Sequence, residues 1–202
     1  MDLNQDKELI IQQRKEIAEL FGFETRNKYE IKNQNNELIG FAAEQGKGIF
    51  NLFARSFLGH WRKFSIHIFD QNQQLILKAK HPFRWFFQRL EIYNSQDQKI
   101  GYLQQRFAIL TKHFDIHDYN DQVILTVKSP FYKIWTFPIF KRDQEVAKIQ
   151  KKWSGLLKEV FMDADNFHID FGQINEEKHK QLILCSSFFI DIQYFERKAD
   201  NS

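Results

Sequence analysis

The sequence predicts one mainly β domain, a closed antiparallel β-barrel around a single apolar C-terminal helix. Two observations predict it: a strand–turn–strand pattern that repeats along most of the chain, and a late segment that is apolar on nearly every side. A meander of many short strands leaves two open edges, and full closure into a barrel removes them. A two-sheet sandwich and a blade-like array have the same strand periodicity, so they stay open as alternatives.

The composition is typical of one folded domain in a reducing compartment. The 202 residues are 43% hydrophobic and 27% charged, and a single barrel of this length is common. Because the net charge is only +3 and nucleic-acid binding needs a concentrated basic stripe, no nucleic-acid partner is expected. The single cysteine, Cys185, forms no internal disulfide, and the N-terminal residues lack a secretory signal. We expect an intracellular monomer.

The first element is expected to be a short amphipathic helix within residues 1–24. Apolar side chains recur at roughly helical spacing over 8–21, and Gly22 ends the pattern. The barrel domain is then expected to cover 25–197.

Five hairpins follow on one template. In each hairpin an isoleucine opens a short run that passes through polar turn residues and returns to an apolar position. The five runs begin at Ile31, Ile68, Ile92, Ile116 and Ile139. The third run departs from the template at Lys99, and the neighbouring Ile100 is expected to take the apolar role. Later repeats recur at about two dozen residues, which indicates a meander of similar hairpins.

The last element is a hydrophobic helix expected at about 177–195. Its centre, 182–190, is apolar all round, which is typical of helices that are buried in a large core or inserted in lipid. A membrane span needs about 20 predominantly apolar residues, whereas Asp191 follows this shorter run directly. We expect burial inside the barrel, with membrane insertion as the alternative. The residues expected to form this core are Leu182, Ile183, Cys185, Phe188, Phe189 and Ile190.

Several stretches resemble, in matching order, those of one known family. They are 27–33, 41–44, 100–102, 152–155, 161–167 and 189–191. These stretches are similar to signature segments of phospholipid scramblases, and the resemblance runs from about Asn27 to Glu196. It implies a tubby-like barrel of about twelve strands around a hydrophobic helix. It also implies ATP-independent, bidirectional movement of phospholipids between leaflets, and calcium stimulation through an acidic segment.

The acidic segment is the candidate calcium site, formed by Asp163, Asp165 and Asp170. Calcium takes about six to eight oxygen ligands, and this segment lacks the glycine and the closing glutamate of an EF-hand, so weak binding is expected. The matching family segment ends in a further acidic residue, whereas this chain has Ile174 there. The alternative is that Asp163 or Asp165 caps or turns the chain before a strand at Phe167.

Two segments, 47–63 and 84–89, combine large apolar side chains with cations and contain no acidic residue. This composition is typical of interfacial membrane segments, in which rings enter the headgroup region and cations attract anionic lipid. The candidate lipid-contacting residues are Lys47, Phe50, Phe53, Arg55, Phe57, Trp61, Arg62, Lys63, Arg84, Trp85, Phe86, Phe87 and Arg89. By resemblance, both segments stand where the family has acylated cysteines, and we hypothesise that aromatic insertion replaces the acyl anchor. The alternative is that the rings close the barrel ends.

Enzyme chemistry is not expected, because the sequence has no glycine-rich phosphate loop, no nucleophile elbow and no metal-binding histidine pair. The expected function is that of a scramblase-family protein, peripheral on the cytoplasmic face of a membrane, with an anionic phospholipid surface as partner and at most weakly bound calcium. A soluble cytoplasmic module that binds phosphoinositide or another lipid without moving it is the first alternative. A barrel that holds a fatty ligand inside is the second.

Overall fold

The computed structural model describes residues 1–14, 27–45, 63–133, 135–152 and 166–195, which form a closed barrel. Its elements are β1 (Glu8–Gln13), β2 (Lys28–Asn33), β3 (Leu38–Gln45), β4 (Phe64–Asp70), β5 (Leu75–His81), β6 (Arg89–Asn94), β7 (Lys99–Gln105), β8 (Thr111–Asp118), β9 (Val123–Pro130), β10 (Thr136–Lys141), β11 (Gln144–Lys152), β12 (Asn166–Asp170) and α1 (Glu177–Tyr194). All neighbouring strands are antiparallel, and β1 completes the ring between β12 and β2. The predicted barrel is confirmed, and the sandwich and the blade-like array are excluded.

The five predicted hairpins share one irregularity. Directly after the template isoleucine of each hairpin, the register shifts, because one extra residue bulges from the second strand. The bulged residues are Ile39, Ile76, Ile100, Ile124 and Val146. All five bulged side chains belong to the core or pack against it. Ile100 therefore takes the apolar role in the third hairpin, as expected, and Lys99 begins β7.

The polar residues of the template build the turns. In the first four hairpins, a side-chain Oδ1 accepts hydrogen bonds of 2.9–3.0 Å from the backbone N–H groups two and four residues later. The accepting residues are Asn33, Asp70, Asn94 and Asp118. Three residues after each of them the chain takes a positive φ of 59–65°. An Asx side chain can hold such a turn without help from tertiary contacts.

The expected N-terminal helix is wrong where the structure describes it, because Glu8–Gln13 form β1. Residues 15–26 of that prediction lie outside the described residues. Leu9 and Ile11 are fully buried and Ile10 only partly, which is the two-residue period of a strand. Glu8 pairs with Asp170, and this long-range pairing satisfies backbone groups of the neighbouring strands. The barrel therefore includes residues that the sequence pattern assigns to a separate N-terminal unit.

Helix α1 fills the barrel. Residues 182–190 are at most 1% exposed, so the predicted core residues are buried in protein. Ser186 and Ser187 donate their hydroxyl groups to the carbonyl oxygens of Leu182 and Leu184 at 2.7 Å, which satisfies the polar atoms of this segment. Gly101 allows the barrel wall to approach the helix, because a Cβ there would lie 2.9 Å from Leu182 Cδ2.

The barrel has two different ends. The five hairpin turns lie at one end, which we call the hairpin end, and α1 begins there. The other end, which we call the loop end, carries the connections 82–88 and 106–110 and the described part, 131–133, of the connection between β9 and β10, and α1 ends there. No helix among the described residues is both long enough and apolar enough to cross a membrane.

Candidate functional site

Exposed apolar side chains gather at the loop end. Nine of the twelve large hydrophobic residues that are exposed in the described part of the chain lie in its three described loops, with exposed fractions of 41–83%. These nine residues, which we call the apolar rim, are Phe83, Trp85, Phe86, Phe87, Phe107, Ile109, Leu110, Phe131 and Tyr132. An apolar patch of this kind on a folded protein marks an interaction surface.

Hydrogen bonds join the three loops into one surface. Gln104 Nε2, next to the β7–β8 loop, donates to the carbonyl oxygen of Phe87 at 2.9 Å. The backbone N–H of Phe131 donates to the carbonyl oxygen of Leu110 at 3.1 Å, which ties the β9–β10 loop to the β7–β8 loop. A groove of about 460 Å³ lies between the first two loops, with Arg84 and Arg106 among its lining residues.

The first loop is held in a strained backbone conformation, and its rings are exposed. Phe87 has a φ of 50°, and a non-glycine residue in this region costs about 1–2 kcal/mol. The buried side chain of Gln88 donates to the carbonyl oxygen of Arg84 at 2.9 Å, which closes the turn below the rings. Strain of this kind persists only where surrounding contacts impose it, and it clusters at binding sites.

The rings of the apolar rim do not close the barrel, because the end of α1 already does so. Phe195, directly after α1, stacks on Trp135 with ring centroids 5.2 Å apart and contacts the rings of Phe137 and Phe167. Phe195 is only 8% exposed, whereas Phe86 is 80% exposed. The exposure of these side chains therefore argues against the alternative that the aromatic residues of 84–89 close the end of the barrel.

Among the described residues, the loops of the loop end and most turns of the hairpin end carry opposite charges. Each described loop of the loop end contributes a cation, and none of the three contains an acidic residue. The cations are Arg84, Arg106 and Lys133. Arg106 is 57% exposed and its Nε lies 3.3 Å from Asp115 Oδ2, which orients the guanidinium beside the groove. At the hairpin end, four of the five turns carry an exposed carboxylate, from Glu37, Asp97, Asp121 and Asp143.

The structure describes part of the predicted lipid-contacting set. Arg84 and the three rings that follow it lie at the loop end, and Lys63 is exposed just before β4. Arg89 instead belongs to the barrel wall, where its Nε donates to Gln104 Oε1 at 2.7 Å and its guanidinium lies 4.3 Å from the centroid of the Tyr102 ring. The residues outside the described part are Lys47, Phe50, Phe53, Arg55, Phe57, Trp61 and Arg62.

Two of the three loops were not predicted from the sequence as part of this surface. The short runs 106–110 and 131–133 each join a cation to exposed apolar residues, as 84–89 does, but each is only a few residues long. The sequence signal that could have identified these two loops is their position between two predicted strands. An apolar side chain in such a short connection belongs to neither face of a strand and is therefore expected to be exposed.

The predicted calcium ligands are not brought together in the described residues. Asp163 and Asp165 lie outside them. Asp170 ends β12 at the hairpin end, accepts a hydrogen bond from the backbone N–H of Gly172 at 2.9 Å, and lies 3.3 Å from Lys148 Nζ. Ile174, where the family has a further acidic residue, is buried in the core. The described part of the chain contains no group of three or more side chains placed to hold a metal ion.

A buried polar cluster lies near the loop end of the barrel interior. Asp191, near the end of α1, accepts hydrogen bonds from the Tyr29 hydroxyl at 2.8 Å and from Lys151 Nζ at 3.2 Å. The Lys151 and Asp191 side chains are 4% and 3% exposed. The Lys151 ammonium also lies 4.3 Å from the centroid of the Phe195 ring. This cluster, formed by Tyr29, Lys151 and Asp191, ties the helix to strands β2 and β11.

The fold and the loop end together define a class of protein, a helix-filled antiparallel barrel that presents one apolar and cationic end. A family model described as Scramblase matches residues 1–197, and the chain belongs to that family.

Phospholipid scramblase 1 of Homo sapiens is 32% identical over 96% of this chain and 64% of its own length. Phospholipid scramblase 2 of Bos taurus is 32% identical over 96% of this chain and 70% of its length. A phospholipid scramblase family protein of Schizosaccharomyces pombe is 26% identical over 96% of this chain and 61% of its length. The chain thus spans only about two thirds of each relative.

The fold also matches a solved structure of distant sequence. The X-ray structure of a protein from Arabidopsis thaliana superposes with a TM-score of 0.51 and covers 92% of this chain and 91% of that one. The two sequences are 8% identical, so this likeness concerns the fold alone.

Proposed function

We propose that this protein moves phospholipids between the two leaflets of a membrane, in both directions and without ATP, from the cytoplasmic face. Membership of the Scramblase family over residues 1–197 carries the proposal. The names of the relatives specify phospholipid scramblase, and the human protein aligns with 96% of this chain. Because the chain spans 64% of that protein, the activity is a proposal for this chain.

The filled barrel bears on how lipid would move. Residues 182–190 occupy the interior, and withdrawing α1 would expose several large apolar side chains at a cost of about 1.5–3 kcal/mol each. A route outside the barrel avoids this cost. Aromatic side chains in the headgroup region disturb lipid packing, and cations of the loop end attract anionic headgroups. In this mechanism the protein forms and breaks no covalent bond.

A dithionite assay on liposomes tests the proposal. Purified protein is added to vesicles that carry fluorescent phospholipid in both leaflets, and dithionite then bleaches the lipid that it can reach. If the protein moves lipid, the protected inner-leaflet signal is lost while an encapsulated dye stays inside. Full retention of the protected signal by vesicles that have bound the protein would contradict lipid movement.

Calcium is proposed as a weak regulator that binds at Asp163 and Asp165. Asp170 supplies the matched control, because its carboxylate already holds Gly172 and Lys148. We expect the Asp163→Asn/Asp165→Asn variant to lose any calcium-dependent gain in the dithionite assay and Asp170→Asn to keep it. Equal rates for wild-type protein with calcium and with chelator would contradict the regulatory role.

The second candidate function is a lipid-binding module, for phosphoinositide or another lipid, that moves no lipid. The observation that favours it is the packed interior, which keeps α1 inside the barrel. The dithionite assay separates the two functions, since this module would sediment with the vesicles and leave the protected signal intact.

A further inference from the structure

We propose that the protein docks end-on, with its apolar rim in the headgroup region of a bilayer that contains anionic phospholipid and with α1 along the membrane normal. The inference rests on the proposed function for its partner, the membrane, and adds the residues and the orientation of contact. It includes two loops, 106–110 and 131–133, that composition alone leaves unassigned.

The position of the three loops in the barrel places their apolar side chains on one face. They connect β5 to β6, β7 to β8 and β9 to β10, which are six consecutive strands of the twelve-stranded ring. Antiparallel neighbours place all three connections at the same end, along half of its circumference. Hydrogen bonds from Gln104 to Phe87 and from Phe131 to Leu110 hold them side by side. The rings thus form one face rather than three separate anchors.

The described barrel wall offers no equivalent apolar anchor. The three exposed large hydrophobic residues outside the apolar rim are Leu38, Tyr119 and Val123, and all three lie at the hairpin end. Two lysines of the outer wall share one carboxylate, since Lys78 and Lys80 lie 2.7 and 3.3 Å from Asp97. Side-on docking would bury strands without inserting a large exposed apolar side chain.

Charge complementarity along the barrel axis supports the same orientation. Each cation near an anionic bilayer contributes about 1 kcal/mol, and the three loops supply Arg84, Lys133 and Arg106, the last of which lies 3.3 Å from Asp115. Glu37 and Asp121 of the hairpin turns would be repelled by the same surface, whereas Asp97 is paired with Lys78 and Lys80 and Asp143 follows Arg142. Attraction at the loop end and repulsion at the hairpin end both favour the orientation in which the loop end faces the lipid. We therefore take the partner of this surface to be an anionic membrane rather than a protein.

Single fluorescent labels test the orientation. The native thiol of Cys185 is fully buried, so a nitrobenzoxadiazole label attaches at an introduced cysteine. The rim positions are Ile109→Cys and Tyr132→Cys, and the matched controls at the hairpin end are Tyr119→Cys and Val123→Cys, which are also exposed. With vesicles of phosphatidylcholine and phosphatidylserine, we expect a blue shift, and quenching by spin-labelled lipid, at the rim positions alone. Equal responses at both ends, or no rim response from sedimenting protein, would overturn end-on docking.

Variants of the loop end test affinity. Arg84→Gln/Lys133→Gln removes two cations and leaves the Arg106–Asp115 pair intact, so we expect binding to these vesicles to weaken about thirtyfold. Ile109→Ser/Leu110→Ser should also weaken binding, whereas Tyr119→Ser/Val123→Ser should not. Circular dichroism verifies that each variant is folded. Unchanged binding of both rim variants would overturn the proposal, as would a rim-dependent dimer in solution that does not bind vesicles.

The vesicle-binding and dithionite results together distinguish end-on docking from lipid movement. Wild-type protein that docks through its rim but leaves the dithionite signal protected would contradict lipid movement and support end-on docking. Rim variants that bind and move lipid as the wild type does would contradict end-on docking and support lipid movement.

Discussion

Two buried lysines fasten the two ends of helix α1. At the loop end, Lys151 and Tyr29 both donate to the Asp191 carboxylate. At the hairpin end, Lys180 Nζ donates to the carbonyl oxygens of Leu3, Asn4 and Asp6 at 2.8, 3.0 and 2.7 Å. Burial lowers the pKa of Lys180 and raises the pKa of Asp6, because it disfavours the charged form of each group. Each buried lysine ammonium has lost its hydration and contacts several protein groups instead.

Removing Lys151 should cost more than removing the tyrosine hydroxyl of the same cluster. Lys151→Met leaves a buried carboxylate without its cation, and we expect a loss of about 3–5 kcal/mol in the free energy of unfolding. Tyr29→Phe removes one hydrogen bond to the same carboxylate, so the expected loss is about 1.5–3 kcal/mol. Urea denaturation measures both variants. Equal losses would mean that the ion pair contributes nothing beyond a hydrogen bond.

Lys180 should hold residues 1–7 across the hairpin end. Lys180→Met leaves three carbonyl oxygens without their donor, and we expect about 1–3 kcal/mol of destabilisation and faster hydrogen exchange in this segment. The control is Lys178→Met, an exposed lysine two residues earlier on the same helix. If the two variants unfold at the same urea concentration, the carbonyl contacts of Lys180 are not stabilising.

At the scale of elements, the repeated unit is a hairpin with two built-in irregularities. In the first four hairpins an Asx side chain, such as Asp70, fixes the turn, and in all five a bulged residue of the second strand, such as Ile76, increases the local twist of the strands. Five repeats of this bulge curve the sheet until its ends can meet. Strand β1, which belongs to none of the five template hairpins, closes the ring of strands.

The hairpins differ in the backbone strain of the turn residue that has a positive φ. Asn36, Asp97 and Asp121 tolerate this region, whereas Gln73 has a φ of 62° and a longer side chain that gains nothing there. Gln73→Asn should therefore raise the free energy of unfolding by about 0.5–1 kcal/mol, and the reverse change, Asn36→Gln, should lower it by a similar amount. Thermal or urea unfolding measures both. A loss of stability in Gln73→Asn would contradict this account.

At the scale of the whole molecule, a filled interior is combined with an apolar rim at one end. The core includes residues from α1 and from the barrel strands, among them Phe188 and Ile31, so the barrel and the helix are one folding unit. The exposed rings of the loop end have no place in that core, because Phe195 and Trp135 already close it. Their exposure is thus a consequence of the packing.

Helix α1 should stay inside the barrel when the protein binds a membrane. Amide hydrogen exchange of 182–190 is expected to remain among the slowest of the chain on vesicles of phosphatidylcholine and phosphatidylserine, because withdrawal would expose its buried apolar side chains. The loop 106–110 gives the comparison, since its exchange should change on binding. Loss of protection in 182–190 on the vesicles would instead indicate that the helix leaves the barrel.

The sequence by itself determined the features that depend on near neighbours. The template isoleucines predict the five hairpins, since turn residues and strand alternation act over a few positions. The apolar run 182–190 predicts the buried helix, and the aromatic residues after Arg84 predict an exposed apolar loop whose contact with lipid stays a prediction.

Only the tertiary structure decided the features that depend on distant partners. Local spacing over 8–21 favours a helix, but pairing of Glu8 with Asp170 makes β1 a strand. Tyr29 meets Asp191 across 162 positions, and no local pattern predicts that these two side chains meet. The same closure brings 82–88, 106–110 and 131–133 to one end of the barrel. Long-range backbone pairing sets these contacts, because each strand satisfies its N–H and C=O groups on a neighbour that only the closed ring supplies.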